Sequence, residues 1–155
     1  MTYNDQVIAT FRANNGQVGG PFDGKHLLLL HTRGRRTGRR LVNPLLYLPD
    51  GDALVVGGSD GGAEKDPQWV ANMAAMGTVT VELADRMITV RPRILREGAE
   101  YDRLYARLLE YWPDLHSYSA RTSRRIPIVR LEPELPAPEG DSPPGAAATR
   151  ATPPG

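Results

Sequence analysis

Apolar positions along the chain change their period several times, and each change marks an element. Tyr3, Val7, Ile8 and Phe11 recur at helical spacing and predict a helix ending near Asn14-Asn15-Gly16. The run from His26 to His31, then Asn43–Leu48 and Ala53–Gly58, read as strands, the last two joined by the hairpin signal Asp50-Gly51. Asp66-Pro67 predicts a helix start, with an acidic N-cap and proline at the first helical position. Trp69, Val70, Met73 and Met76 then lie on its buried face. Thr78–Leu83 and Met87–Ile94 alternate apolar and polar residues as a second hairpin. Tyr101, Leu104, Tyr105, Leu108, Leu109 and Trp112 form the clearest amphipathic stripe, and Ile126–Leu131 is a final strand. The order α-β-β-β-α-β-β-α-β, dominated by hairpins, predicts an α+β protein. Its mainly antiparallel sheet curls into a small barrel with helices outside, not a doubly wound parallel sheet.

Composition changes this picture at one end only. From Glu134 to Gly155 the chain is dominated by Pro, Gly and Ala, with Leu135 as its one large apolar residue, too little to offset the entropy of ordering. Residues 1–133 are therefore expected to form the domain and 134–155 a disordered tail. The tail holds Glu134, Glu139 and Asp141 against Arg150, a net of −2, so a chain of net +1 has a body of +3. Absence of cysteine excludes disulfides and thiolate metal sites, and His26, His31 and His116 lack helical metal-ligand spacing. No apolar run is long enough to span a bilayer, and Met1 to Phe11 lacks the features of a secretory signal, so the chain reads as cytoplasmic.

Charge is concentrated in Thr32-Arg33-Gly34-Arg35-Arg36-Thr37-Gly38-Arg39-Arg40, five arginines in nine residues between two strands. Guanidinium forks bind oxyanions bidentately, and glycines let backbone N–H groups approach them, so this loop suits a phosphate or carboxylate. It is neither a P-loop, since no Gly-Lys-Ser/Thr ending or helix follows, nor a dinucleotide fingerprint. The alternative is a solvated basic turn touching nucleic acid without sequence preference. Against that alternative, no aromatic is interleaved with the arginines. A second stretch, Gly57-Gly58-Ser59-Asp60-Gly61-Gly62, lets backbone pass close to a flat ligand or serves only as a strand-to-helix connection. A third, Tyr111 to Ser119, carries aromatics around Pro113 and reads either as a lid or as core closure. Tyr118 is its candidate proton donor.

Together these stretches resemble the deazaflavin (coenzyme F420)-dependent nitroreductase family of split β-barrel proteins, whose folds are akin to FMN-binding barrels. The likeness rests on Thr32–Gly38 followed by Asn43-Pro44-Leu45, on Gly61-Gly62 with Pro67 and Trp69, and on Arg125-Ile126-Pro127-Ile128-Val129 through Leu131-Glu132-Pro133. It runs in register from about Val7 to Pro133. The resemblance implies that F420 lies in a groove along the barrel, its phosphate and acidic tail meeting Arg35, Arg36 and Thr37. Pro44, Gly57, Gly58, Ser59, Gly61 and Gly62 would then line the deazaflavin, with Trp69 closing the wall. Trp112, Leu115 and Tyr118 would meet the substrate, Trp112 and Leu115 standing where family members carry tyrosines. The implied reaction is hydride transfer from reduced F420 to a small conjugated acceptor, a quinone, an enone or a nitro compound. Alternatives are an FMN-dependent split barrel and a non-catalytic F420- or lipid-binding protein. Peripheral membrane contact and the choice between monomer and homodimer stay open.

Overall fold

The computed structural model describes residues 2–22, 24–59, 65–120 and 124–134, with the backbone alone at Pro21, Tyr118 and Ser119. The expected tail from residue 135 on, Gly61 and Gly62 lie outside the described residues. Glu134, placed in the tail by composition, belongs to the barrel: its N–H donates to Thr89 O at 2.9 Å.

Six strands close into one antiparallel barrel. They are β1 (His26–Arg33), β2 (Arg40–Asp50), β3 (Ala53–Gly57), β4 (Val79–Glu82), β5 (Met87–Leu95) and β6 (Ile128–Pro133). Their order around the barrel is β1-β2-β3-β6-β5-β4, with β4 pairing back on β1. Period-2 alternation decides which side chains fill it. Leu28 and Leu30 of β1 point inward with Val56, Val79, Val81, Val129 and Leu131, while Leu27 and Leu29 point outward. The outward pair packs under α1 (Tyr3–Ala13) against Val7 and Phe11. A capping box starts α1, Thr2 and Asp5 exchanging side-chain-to-backbone bonds of 3.1 Å each way. Arg12 near the helix end forks onto Glu82 of β4 at 3.0 and 3.1 Å. Tyr3, expected on the buried stripe, is 60% exposed because it precedes the turn that touches the sheet.

The second helix, α2 (Gln68–Ala74), plugs one end of the barrel through Trp69, Val70 and Met73. It starts later than the sequence suggested. Pro67 occupies the cap position, and the Asp66 carboxylate is drawn away by Arg96 and Arg124 at 3.0 Å each instead of capping. It also ends before Met76, which is 36% exposed instead of buried. On the opposite flank α3 (Ala99–Tyr111) and an unforeseen short helix, α4 (Asp114–Ala120), cover β3 and β6. Leu104, Leu108, Leu115, Ile126 and Ile128 form the cluster between them. Tyr101 adds a bond from its hydroxyl to Ile126 O at 2.7 Å. Among the described residues no helix is long and apolar enough to cross a membrane.

The barrel wall parts at one place. β2 pairs with β1 from Arg40 to Tyr47, but with β3 only at Leu48–Val55, Pro49–Leu54 and Asp50–Ala53. Beyond that point β2 has an unpaired edge. Pro44 stands in this stretch, where a strand tolerates a residue without an N–H.

Candidate active site

The parting between β2 and β3 opens a cavity of about 530 Å³. Its walls are β2 from Leu41 to Leu46, the end of β3 at Gly57 and Ser59, the start of α2 at Trp69, and Trp112 after α3. The size suits a flat ring system, since ligand pockets run roughly 300–1,000 Å³. A second cavity of about 580 Å³ continues from it beneath the arginine hairpin, lined by Arg35, Arg36, Thr37 and Lys65. The two share Leu41, Pro67, Gln68 and Asn72, so they form one groove, apolar at one end and cationic at the other.

Local chemistry holds the hairpin in shape. Gly34 N–H donates to Arg39 O and Gly38 N–H to Gly34 O, both at 2.8 Å, with Gly38 at φ 72°. Thr37 Oγ1 accepts from Arg39 N–H at 3.2 Å and would stand 2.7 Å from a Cβ on Gly34, so a side chain at residue 34 would displace this hydroxyl. Arg35 is anchored to α2. Its Nη1 donates to Gln68 Oε1 and to Asn72 Oδ1, each at 2.9 Å, and its N–H reaches the same Oδ1 at 3.3 Å. Asn72 is only 2% exposed. Both of its Arg35 contacts require an acceptor, which orients the amide. Its Nδ2 makes no hydrogen bond among the described residues, so both N–H groups remain for a ligand where the cavities join.

The arginines divide sharply by location. Each of the ten described arginines outside the hairpin has a carboxylate within ion-pair distance. None of the five at Arg33–Arg40 does, among the described residues. Five guanidinium groups on one turn without a carboxylate partner among the described residues suit an anion from outside. Asp66, the acid bordering the second cavity, does not cancel them, because Arg96 and Arg124 already hold it.

Most sequence-predicted residues meet in this groove: Arg35, Arg36 and Thr37 at the cationic end, and Pro44, Gly57, Ser59, Trp69 and Trp112 around the apolar end. Three placements differ. Gly58 is buried and does not line the groove. An added Cβ would stand 2.9 Å from Pro127 and 3.1 Å from Val70, so its glycine serves packing. Leu115 has no exposed surface and packs under α3, which leaves it no face for a substrate. Trp69 borders the groove but is 6% exposed and chiefly fills the barrel core. Of Tyr118 the structure describes the backbone, on α4. Asn72, Gln68 and Arg124 escaped sequence reading, because an amide on a helix or a lone arginine carries no motif. Arg124 is 15% exposed and donates to Ser59 O at 2.8 Å and to Asp66 at 3.0 Å, clasping the groove wall.

The sequence profile of the F420H(2)-dependent quinone reductases matches residues 4–133, the whole of the barrel. The chain belongs to this family. Rv3178 of Mycobacterium tuberculosis, carried under a provisional name as an F420H(2)-dependent quinone reductase, is 31% identical over 106 residues. That alignment covers 68% of this chain and 88% of the relative. Among solved structures, the F420-H2 dependent reductase FDR-A is 29% identical at a TM-score of 0.62, over 68% of this chain and 93% of its own. A protein solved as a domain-swapped dimer is 27% identical at a TM-score of 0.63, over 83% and 95%. Membership makes this protein an oxidoreductase with coenzyme F420 as its cofactor, and the FMN and non-catalytic alternatives give way. The groove fits that group: a slot for a flat ring runs continuously into unmatched guanidinium groups that suit a phosphate.

Proposed function

We propose that the protein reduces a small conjugated acceptor (a quinone, an enone or a nitro compound) at the apolar end of the groove, with F420 held along its length. The observation that supports this most is the continuity of the apolar cavity with the unmatched arginines through Asn72 and Gln68. Arg35 and Arg36 would hold the phosphate, with Thr37 keeping the hairpin closed around it. The unpaired edge of β2 on either side of Pro44 would face one side of the ring, and the backbone at Gly57 and Ser59 would face the other. When bound and reduced, the cofactor supplies a hydride to the acceptor. The protein's own contribution is placement and exclusion of water: Trp112, half-buried at the mouth, would cover the acceptor over the ring. Tyr118, six residues further on, would donate the proton that neutralises the developing oxyanion.

Titration with oxidised F420, followed by its fluorescence, tests the binding half. Turnover of reduced F420 with menadione, cyclohexenone and a nitroimidazole in parallel tests the acceptor half. Saturable binding with turnover of at least one acceptor is expected. Binding without turnover of any class would overturn the acceptor assignment alone. Tyr118→Phe should lower kcat more than it weakens F420 binding, and an unchanged kcat would remove Tyr118 from the chemistry.

A further inference from the structure

The arginine hairpin has a second side. Arg33 and Arg40 face each other across the β1–β2 ladder, and neither borders the cofactor groove. They line a separate cleft of about 430 Å³ between the end of β1, the connection from α2 to β4, and β5. We propose that this cleft is a second anion site, for a small phosphate- or carboxylate-bearing molecule, independent of the F420 groove.

Several observations converge on it. No carboxylate lines the cleft, whereas two guanidinium groups do, and neither has an ion-pair partner among the described residues. Glu82, the acid on the adjoining strand, is engaged by Arg12 and by His31 Nε2 at 3.2 Å, so its charge is matched from its own side. The N–H of Arg33 emerges where β4 has not yet begun, since the β1–β4 ladder ends at His31–Thr80. Its acceptor is Met76 Sδ at 3.3 Å, and a thioether is a weak acceptor that an oxyanion would displace. On the same peptide unit, Thr32 borders the cleft, but its side chain, in step with Leu28 and Leu30, is directed to the barrel interior. A backbone donor with a poor acceptor and two guanidiniums without a described carboxylate partner at one cleft are the elements of an oxyanion site. The outward hydroxyls of Thr80 and Thr89 complete its polar floor.

The full chain, labelled with 15N and saturated with F420, would be titrated with inorganic phosphate and separately with acetate, at ionic strength held constant with chloride. Saturable shifts of the Thr32 and Arg33 amides are expected, and the two arms show which oxyanion the cleft prefers. The Arg33→Gln/Arg40→Gln variant should bind the preferred anion roughly tenfold or more weakly, the scale of losing charge-assisted hydrogen bonds. Both side chains are exposed, so the variant should fold, and its spectrum reports whether it does. Shifts confined to Arg35–Thr37 and suppressed by F420 would overturn the proposal, as would linear shifts that never saturate. A loss of F420 affinity in this variant equal to that of Arg36→Ala would also overturn it, by making the cleft part of the cofactor site. Repeating the phosphate arm without F420 keeps the result readable even if the cofactor assignment fails.

Discussion

Asn72 shows how one buried amide can organise a site. Its oxygen is spent on Arg35, and its nitrogen is left where a ligand passes from the apolar to the cationic cavity. Arg35 and Arg36 therefore differ although they are neighbours of the same type. Arg35 is tethered at 2.9 Å to both Gln68 and Asn72, whereas Arg36 is exposed and has no partner among the described residues. Arg36→Ala should weaken F420 binding by about ten- to a hundredfold, the value of one charge-assisted contact of about 1.5–3 kcal/mol, and leave Tm in place. Arg35→Ala should do the same and also lower Tm slightly, because it unties the hairpin from α2. Fluorescence titration beside a thermal melt separates the two, and equal F420 affinity in both variants and the parent would remove the hairpin from the site. Gly58 makes the opposite prediction. Its Cβ position lies 2.9 Å from Pro127 Cγ and 3.1 Å from Val70 Cγ2, so Gly58→Ala should overpack the junction of β3, α2 and β6. A loss of about 1–3 kcal/mol is expected. A melt unchanged from the parent would show that Pro127 yields without strain.

At the level of elements, periodicity was a reliable guide where one face of an element meets one environment. The inward set of β4 and β5 and the buried stripe of α3 were legible because alternation and helical spacing each map onto a single core. It failed where tertiary partners compete for local signals. Asp66 looks like a helix cap, yet Arg96 and Arg124 claim its carboxylate. The resemblance sets Leu115 against a substrate, yet α4 turns it inward. The cationic end of the groove was legible because five arginines on a Gly/Thr turn cannot be core; its partners on α2 were not, because Gln68 and Asn72 carry no pattern. Arg124 belongs to this class. Reaching from the approach to β6, it binds Ser59 O at the end of β3 and Asp66 just before α2. It thereby holds together two elements that border the groove. Arg124→Ala should raise the F420 dissociation constant severalfold while Arg124→Lys restores part of it, since an ammonium reaches one partner but not both. If Lys and Ala behave alike in binding and Tm alone changes, Arg124 serves stability and not the groove.

Across the whole molecule, charge is sorted into two regimes. Outside the arginine hairpin the described surface carries matched networks. Arg103, Arg107 and Arg130 converge on Asp50, and Arg107 comes closest at 2.5 Å. Arg93 bridges Glu100 and Glu132, and Arg12 holds Glu82. The hairpin carries the unmatched cations. The matched networks bear on stability and the unmatched turn on binding, so pH and ligand should act on different side chains. Arg103, then Arg130, holds the Asp50 carboxyl below its ordinary range, and Arg12, then His31, does the same for Glu82. A folded-state value below the unfolded one stabilises above the unfolded pKa, about 4 for these groups. As pH falls past that point the unfolded chain takes up protons first, and the stabilisation disappears as the pH drops through the lower folded values. These groups therefore contribute fully and constantly to the parent Tm above about pH 5, and the Tm should fall steeply on acidification below about pH 4. Asp50→Asn keeps the shape but discards the charge that gathers three guanidiniums. Its Tm at neutral pH should drop by several degrees, at roughly 2–4 °C per kcal/mol for a chain of this size, and its acid slope should be shallower than the parent's. An acid slope identical to the parent's would place the sensitivity at Glu82 and the α1 contact instead, and Glu82→Gln would then flatten it.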